Sequence, residues 1–327
     1  MEPLLSVRHL VKTFDVGRKW FGKTRQVHAV NDISFDIKPG ETFSLVGESG
    51  CGKSTTGKLI NRLITPNSGE IWFEGKEISK VGEKNMRLLR SNMQMIFQDP
   101  NGSLNPRMRI EDIVSEPLLV HTELSAEQRM EKVGELLENV GLNANYTKRF
   151  PFEFSGGQRQ RIGIARAISV RPKLIIADEP VSALDVSIQA QVLNILQSLQ
   201  KKYQLTYLFI SHDLSVVEMI SDRIAVMYLG TIVETAEKNE LYANPLHPYT
   251  RALLSAIPIP DPKAKKDRII LKGDIPSAVE IPSGCPFHTR CPIATEKCKL
   301  EKPVPKTFNL NHIVSCHYVE RNTVDVF

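Results

Sequence analysis

An α/β fold with a largely parallel sheet is predicted by three features of this sequence. Strand-like and helix-like stretches alternate over most of its length. The apolar run Leu174, Ile175, Ile176, Ala177 is continuous rather than alternating, as in a strand covered on both faces. Glu41 to Val46 leads through a glycine-rich turn straight into a helical segment carrying Leu59, Ile60 and Leu63. Gly69 to Gly75, Leu205 to Ile210 and Arg223 to Leu229 supply further strands.

The middle of the chain, about residues 99–170, breaks this alternation. Ser125 and Gln128 form a capping box, Met130, Val133, Leu137 and Val140 recur at helical spacing, and Gly141 supplies a stop. This stretch is expected to be a helical subdomain inserted into the sheet domain. An amphipathic helix follows Asp185, with Ile188, Val192, Ile195, Leu196 and Leu199 on one face. Composition shifts after Asn244: prolines are dense from Pro245 to Pro262, then come the basic Lys263 to Arg268 and a group of cysteines. The expected division is therefore a domain at 1–244 and a separate extension at 245–327.

With 327 residues the chain has room for one large domain and an appendage. Its composition, 41% hydrophobic and 24% charged, is that of an ordinary soluble protein. No apolar run approaches the roughly 18 residues of a membrane span, and Met1 to Phe14 is too mixed for a secretory signal, so the chain is expected in the cytosol. A net charge of +5 suits acidic phosphates or a membrane surface but selects neither. Five cysteines in such a chain argue against a disulfide framework.

The turn Gly47-Glu48-Ser49-Gly50-Cys51-Gly52-Lys53-Ser54, followed by Thr55, fits a phosphate-binding loop between strand and helix. Backbone N–H groups curl around phosphates there, Lys53 reaches the β- and γ-phosphates, and the Ser54 hydroxyl is a magnesium ligand. Cys51 is a small tolerated residue with no assigned chemistry. Asp178 ends the apolar strand at the sheet's carboxyl edge, where it can hold magnesium. Glu179 comes next, positioned to polarise a water for attack on the γ-phosphate.

Ser155 and Gln158 could form a simple capping box. Gly156 and Gly157 in the first turn, however, each cost about 1 kcal/mol relative to alanine, which a mere cap would not require. Bare N–H groups at a helix start make an anion site, so a second phosphate-recognising element is the better reading.

With these residues in order, the sequence resembles the ABC ATPase family. Ser155 to Gln158 match its signature motif, and Gly47 to Ser54, Gln98, Asp178, Glu179, Ser182 to Asp185 and His212 follow the family's arrangement. Phe154 stands where leucine is more usual. The resemblance implies a P-loop NTPase (RecA-like) core, with ATP and Mg2+ bound between two ATPase domains packed head to tail. The signature of one domain then faces the ATP held by the other. It implies further that Gln98 touches magnesium and the attacking water while relaying to membrane domains. His212 contacts the γ-phosphate and orients Glu179, Asp185 cross-links the two sites, and Phe14 lies against adenine.

The tail narrows the resemblance. His247-Pro248-Tyr249-Thr250-Arg251-Ala252-Leu253-Leu254, Cys285-Pro286-Phe287 and Arg290-Cys291-Pro292 are similar to the C-terminal extension of oligopeptide and dipeptide importer ATPases. Nickel and glutathione importers belong to the same subfamily, so the resemblance implies peptide as the solute with these two as alternatives. Expected partners are a sister ATPase forming a heterodimer, two transmembrane permeases and, indirectly, an extracytoplasmic solute-binding protein, with the chain peripheral at the cytoplasmic membrane face. Cys285, Cys291, Cys298 and Cys316 suit a soft metal site, and the resemblance favours a [4Fe–4S] cluster over Zn2+. With the phosphate site in a separate domain, serine at any one of these cysteines is expected to loosen the region after Pro262 and to spare nucleotide binding. Arg18, Lys19, Lys23 and Arg25 surround Trp20 and Phe21, which reads as a solvated hairpin or a headgroup contact. A soluble ABC ATPase acting on nucleic acid or ribosomes is the competing class. Such relatives usually carry two ATPase domains or characteristic insertions, which this sequence lacks.

Overall fold

A computed structural model describes residues 2–16, 25–258, 268–308 and 312–322. Arg18, Lys19, Trp20, Phe21 and Lys23 lie outside them.

The strands are β1 (Leu5–Val16), β2 (Arg25–Ile37), β3 (Thr42–Val46), β4 (Ser68–Phe73), β5 (Lys76–Glu77), β6 (Met93–Ile96), β7 (Leu174–Asp178), β8 (Thr206–Ser211), β9 (Arg223–Tyr228), β10 (Thr231–Glu237), β11 (Lys306–Thr307) and β12 (Ile313–Val314). The helices that matter to the site are α1 (Lys53–Ile60), α2 (Glu83–Leu89), α3 (Pro100–Ser103), α4 (Ile110–His121), α5 (Ala126–Asn139), α6 (Gly156–Ile168), α7 (Val186–Tyr203), α8 (Leu214–Ile220), α9 (Lys238–Ala243) and α10 (Pro248–Ser255).

The larger sheet runs β11-β12-β10-β9-β3-β8-β7-β6. From β9 to β6 its pairings are parallel, whereas β10 and the two short strands beyond it are antiparallel. Every position of β3, β7 and β8 is buried, because both faces of these strands are covered. That explains why their sequences are runs rather than alternations. A second, antiparallel sheet, β2-β1-β4-β5, covers one face. Phe35 of β2 stacks on Phe43 of β3 with ring centroids 5.0 Å apart.

The other face carries α7 and α8, and α3 to α6 adjoin it at the β6 edge, where α6 packs on β6. Ser125 caps α5 in both directions: Gln128 N donates to its hydroxyl at 3.2 Å, and Ser125 N donates to Gln128 Oε1 at 2.9 Å. Val133, Leu137 and Val140 are buried as their spacing predicts, but Met130 stays exposed and Leu136 is buried instead. The last turn of α5 meets the core more squarely than its first.

The chain beyond Pro245 shares the main sheet and its core. β12 pairs with β10, and Tyr249, Leu254, Cys285 and Phe287 belong to the same apolar cluster as β7 and β8. Rings of Tyr228, Tyr249 and Phe287 meet at 4.8 to 5.3 Å, contacts worth about 0.5–1.5 kcal/mol each beyond their burial. Buried Glu234 of β10 accepts from Leu246 N at 2.6 Å and His247 N at 3.1 Å, and pairs with His312 at 2.6 Å. Burial lowers the His247 pKa to about 4, against the pull of Glu234. The neutral ring therefore accepts at Nδ1 from Tyr249 N at 3.1 Å, capping α10. No helix among the described residues is long and apolar enough to cross a membrane.

Candidate nucleotide-binding site

The glycine-rich turn lies at the carboxyl end of β3, between β9 and β8, and runs into α1. Its shape depends on glycines. At Gly47, φ is 152°, and a Cβ would meet Met227 O at 2.2 Å. At Gly52, φ is 108°, and a Cβ would meet Ala29 O at 2.0 Å. Both conflicts are with backbone, so no side-chain adjustment relieves them.

A cavity of about 410 Å³ opens over this turn, lined by Ser49, Gly50, Gly52, Lys53, Ser54 and Thr55, with Phe14 at one side and Gln98 and Glu179 at the other. Gly47, Glu48 and Cys51 are not in its lining and brace the loop from behind. Buried Lys53 turns back on the loop, its Nζ donating to Gly47 O at 2.8 Å and Glu48 O at 3.1 Å. Lys53 thus sets one positive charge at the base of the loop, opposite Glu179. Phe14 is 39% exposed, with Lys12 Nζ 5.0 Å from its ring centroid, and its free face is available to a planar ligand. Burial raises the Cys51 thiol above its ordinary pKa, keeping it neutral beside Lys53.

The acidic residues meet this loop. Ser54 Oγ donates to Asp178 Oδ1 at 2.7 Å. Burial raises the Asp178 pKa, the Ser54 hydrogen bond opposes this, and the charge of Glu179 adds to it. Glu179 is held from two sides: Gln98 Nε2 donates to Oε2 at 2.8 Å, and His212 Nδ1 lies 3.2 Å from Oε1. Its backbone has φ of 47°, in the left-handed region, anchored by Glu179 N donating to Ile210 O at 2.9 Å. Such strain at a non-glycine residue persists only where the surroundings hold it. The carboxylate is thereby aimed at the cavity. The hydroxyl of Ser54, the carboxylate of Asp178 and the amide oxygen of Gln98 are hard oxygen donors beside one another, a set that fits Mg2+.

The signature residues are elsewhere. Ser155 caps α6, with Ser155 N donating to Gln158 Oε1 at 3.0 Å and Gln158 N donating to Ser155 Oγ at 3.3 Å. Neither they nor Gly156 and Gly157 line the cavity. A Cβ on Gly156 would make only an ordinary contact, 3.8 Å from Leu184 Cδ2, whereas one on Gly157 would lie 2.5 Å from Ile188 Cγ2 of α7. Gly157 therefore serves close α6–α7 packing as well as any anion contact. Phe154 is buried edge-on to Tyr146, a packing role that accounts for an aromatic there. Asp185 begins α7 with no capping bond from its side chain.

Burial raises the pKa of Cys285 to about 12, with the neighbouring cysteines adding to the rise. Cys291 and Cys316 are raised for the same two reasons. The expected metal is not borne out by their arrangement: among the described residues no group of three or more His, Cys, Asp or Glu side chains could hold a metal ion. Phe287 and Tyr249 pack this region against the main sheet.

Two residues that sequence reasoning did not assign reach the phosphate loop. Tyr249 and Arg290 both bond to Glu48. Their segments were recognisable as part of the tail, but nothing in local spacing places them at residue 48.

Residues 30–182 match the family described as ABC transporter, and residues 233–298 match the oligopeptide/dipeptide transporter C-terminal region. The chain is 53% identical over 320 residues to the oligopeptide transport ATP-binding protein AppF of Bacillus subtilis (strain 168), covering 97% of each. It is 47% identical over 321 residues to the di/tripeptide transport ATP-binding protein DppF of Pseudomonas aeruginosa (strain UCBPP-PA14), covering 98% of this chain and 99% of that one. Among solved structures, a post-hydrolysis dimer of an ATP-binding cassette bound to ADP and Pi superposes with a TM-score of 0.65 at 27% identity, covering 72% of this chain and 98% of that one. The fold around the cavity, the order of its motifs and similarity over nearly the full length agree: the chain belongs to the ABC transporter ATPases, in their oligopeptide/dipeptide group.

Proposed function

We propose that this chain binds ATP in the cavity above α1 and hydrolyses it in a head-to-tail pair with a sister ATPase, driving peptide import through two permeases. The observation that carries the reading is Glu179, held between Gln98 and His212 and facing the phosphate loop. In it, Lys53 leaves its carbonyl partners for the β- and γ-phosphates, and the Phe14 ring receives the base. Ser54, Asp178 and Gln98 hold Mg2+, which neutralises phosphate charge. Glu179 accepts a proton from the attacking water while His212 fixes the carboxylate's orientation. The signature turn at Ser155 to Gln158 and Asp185, both outside this chain's own cavity, serve the partner's nucleotide.

A cleft of about 700 Å³ adjoins the site, with Ser54, Gln98 and Asp178 on its inner wall and Glu116, Val120 and Arg166 further out. Gln98 lines both spaces, which suits it to report a permease segment seated in the cleft to the nucleotide. A peptide as the solute is supported by the names of the relatives above, in preference to nickel or glutathione. The place of action is the cytoplasmic face of the membrane, with a solute-binding protein delivering peptide from the other side. An iron–sulfur cluster at Cys285, Cys291, Cys298 and Cys316 rests on the soft donor chemistry of the four thiols alone, and no step of hydrolysis runs through it. The test is reconstitution with the two permeases and sister ATPase in liposomes: ATP hydrolysis should rise when peptide-loaded binding protein is supplied. Hydrolysis indifferent to peptide would count against peptide import.

A further inference from the structure

Glu48, the second residue of the phosphate loop, is held by the C-terminal segment. Arg290 Nη1 donates to Glu48 Oε2 at 2.7 Å and Nη2 to Oε1 at 3.2 Å, a two-pronged pair spanning 242 positions of sequence. Glu48 N donates to the hydroxyl of Tyr249 at 3.0 Å. Both anchors are themselves fixed. The Arg290 side chain is only 8% exposed, and Arg290 N donates to Phe287 O at 3.0 Å. Tyr249 is fully buried, packed against Tyr228 and Phe287. Within the loop, Glu48 O accepts from Lys53 Nζ and from Cys51 N. All four polar atoms of Glu48 are therefore engaged, three of them by residues of the tail.

We infer that Arg290 and Tyr249 are positioning residues for ATP binding, so that the C-terminal segment completes the nucleotide site. The inference rests on the loop being the ATP site. Two physical effects support it. Glu48 brings a negative charge into a loop that must receive a polyanion, and the Arg290 guanidinium cancels that charge. Tyr249 takes the Glu48 N–H out of the set that can face phosphate, which sets the register of the N–H groups from Ser49 onward. Without Arg290 the carboxylate is left unpaired and repels the phosphates.

The test uses the full chain and a fluorescent ATP analogue in equilibrium titrations, with thermal melts as a folding control. Arg290→Met should weaken binding by about tenfold, a change typical of unpairing one partly buried charge. In the assembled ATPase it should raise KM and change kcat little, since the group never touches the reacting atoms. Arg290→Lys, which keeps charge without the fork, should fall between wild type and Arg290→Met. Adding Glu48→Gln to Arg290→Met removes the unpaired charge and should recover most of the lost affinity. A purely structural role for Arg290 would not be rescued this way. Arg290→Met binding as tightly as wild type, or the double variant as weakly as Arg290→Met, would overturn the inference alone. Wild-type protein that does not bind the analogue would overturn the reading of the loop itself.

Discussion

The Ser54 hydroxyl donates a 2.7 Å hydrogen bond to Asp178 Oδ1, joining the first turn of α1 to the end of β7. Each of these groups has a second role as a candidate Mg2+ ligand, so the bond holds the pair together until metal and nucleotide arrive. Asp178 is only 4% exposed, and its burial is the main cause of its raised pKa.

That shift has a sign for stability. A carboxyl whose pKa is raised by folding favours the native state most when protonated, below its unfolded value. This contribution is lost as pH rises through the folded value. At neutral pH the ionised Asp178 therefore destabilises the nucleotide-free protein. Asp178→Asn should raise its thermal midpoint at neutral pH and abolish the added stabilisation by Mg2+ and ATP. Thermal melts with and without Mg2+ and ATP check both; a lowered midpoint in the nucleotide-free variant would contradict the sign.

Gly157 makes two demands that can be separated. Gly157→Asp should leave ATP binding by the isolated chain intact and cripple hydrolysis in the assembled ATPase. Its Cβ also presses on Ile188, a contact of 2.5 Å for an ideal Cβ. Shortening that neighbour in Gly157→Asp/Ile188→Ala should recover much of the thermal stability without recovering hydrolysis. Recovery of both would reduce Gly157 to a packing role.

The cysteines call for metal analysis. Protein purified without oxygen should be brown and contain iron and acid-labile sulfide if a [4Fe–4S] cluster is held at Cys285, Cys291, Cys298 and Cys316. Zinc would leave it colourless, and neither metal would agree with the absence of a metal-holding group among the described residues. Cys291→Ser adjoins Arg290 and should also weaken ATP binding modestly, where a separate extension would leave it untouched.

Much of this molecule was legible from sequence because its signals are local. The buried run of β7, the glycine turn into α1 and the Ser125 and Ser155 caps each depend on residues within a few positions of one another. The order of Gln98, Glu179 and His212 pointed to one site, and the structure brings the three side chains together. What composition could not show was how the tail sits. The proline-rich shift after Asn244 suggested a separate extension, yet Glu234 in β10 anchors His247 and His312, and Arg290 grips Glu48. Such pairings join residues tens to hundreds of positions apart and leave no periodic trace. The Gly157–Ile188 contact was hidden for the same reason.

The central claim, that Glu179 activates the water that hydrolyses ATP, is tested most directly by Glu179→Gln in the assembled ATPase. Gln98, His212 and the phosphate loop are untouched by this change, so ATP affinity should remain near wild type. Turnover should fall by about a hundredfold to ten-thousandfold, the usual worth of a positioned general base. The variant should also accumulate as a closed, ATP-bound pair on gel filtration. Steady-state hydrolysis equal to wild type, with ATP bound normally, would contradict the account.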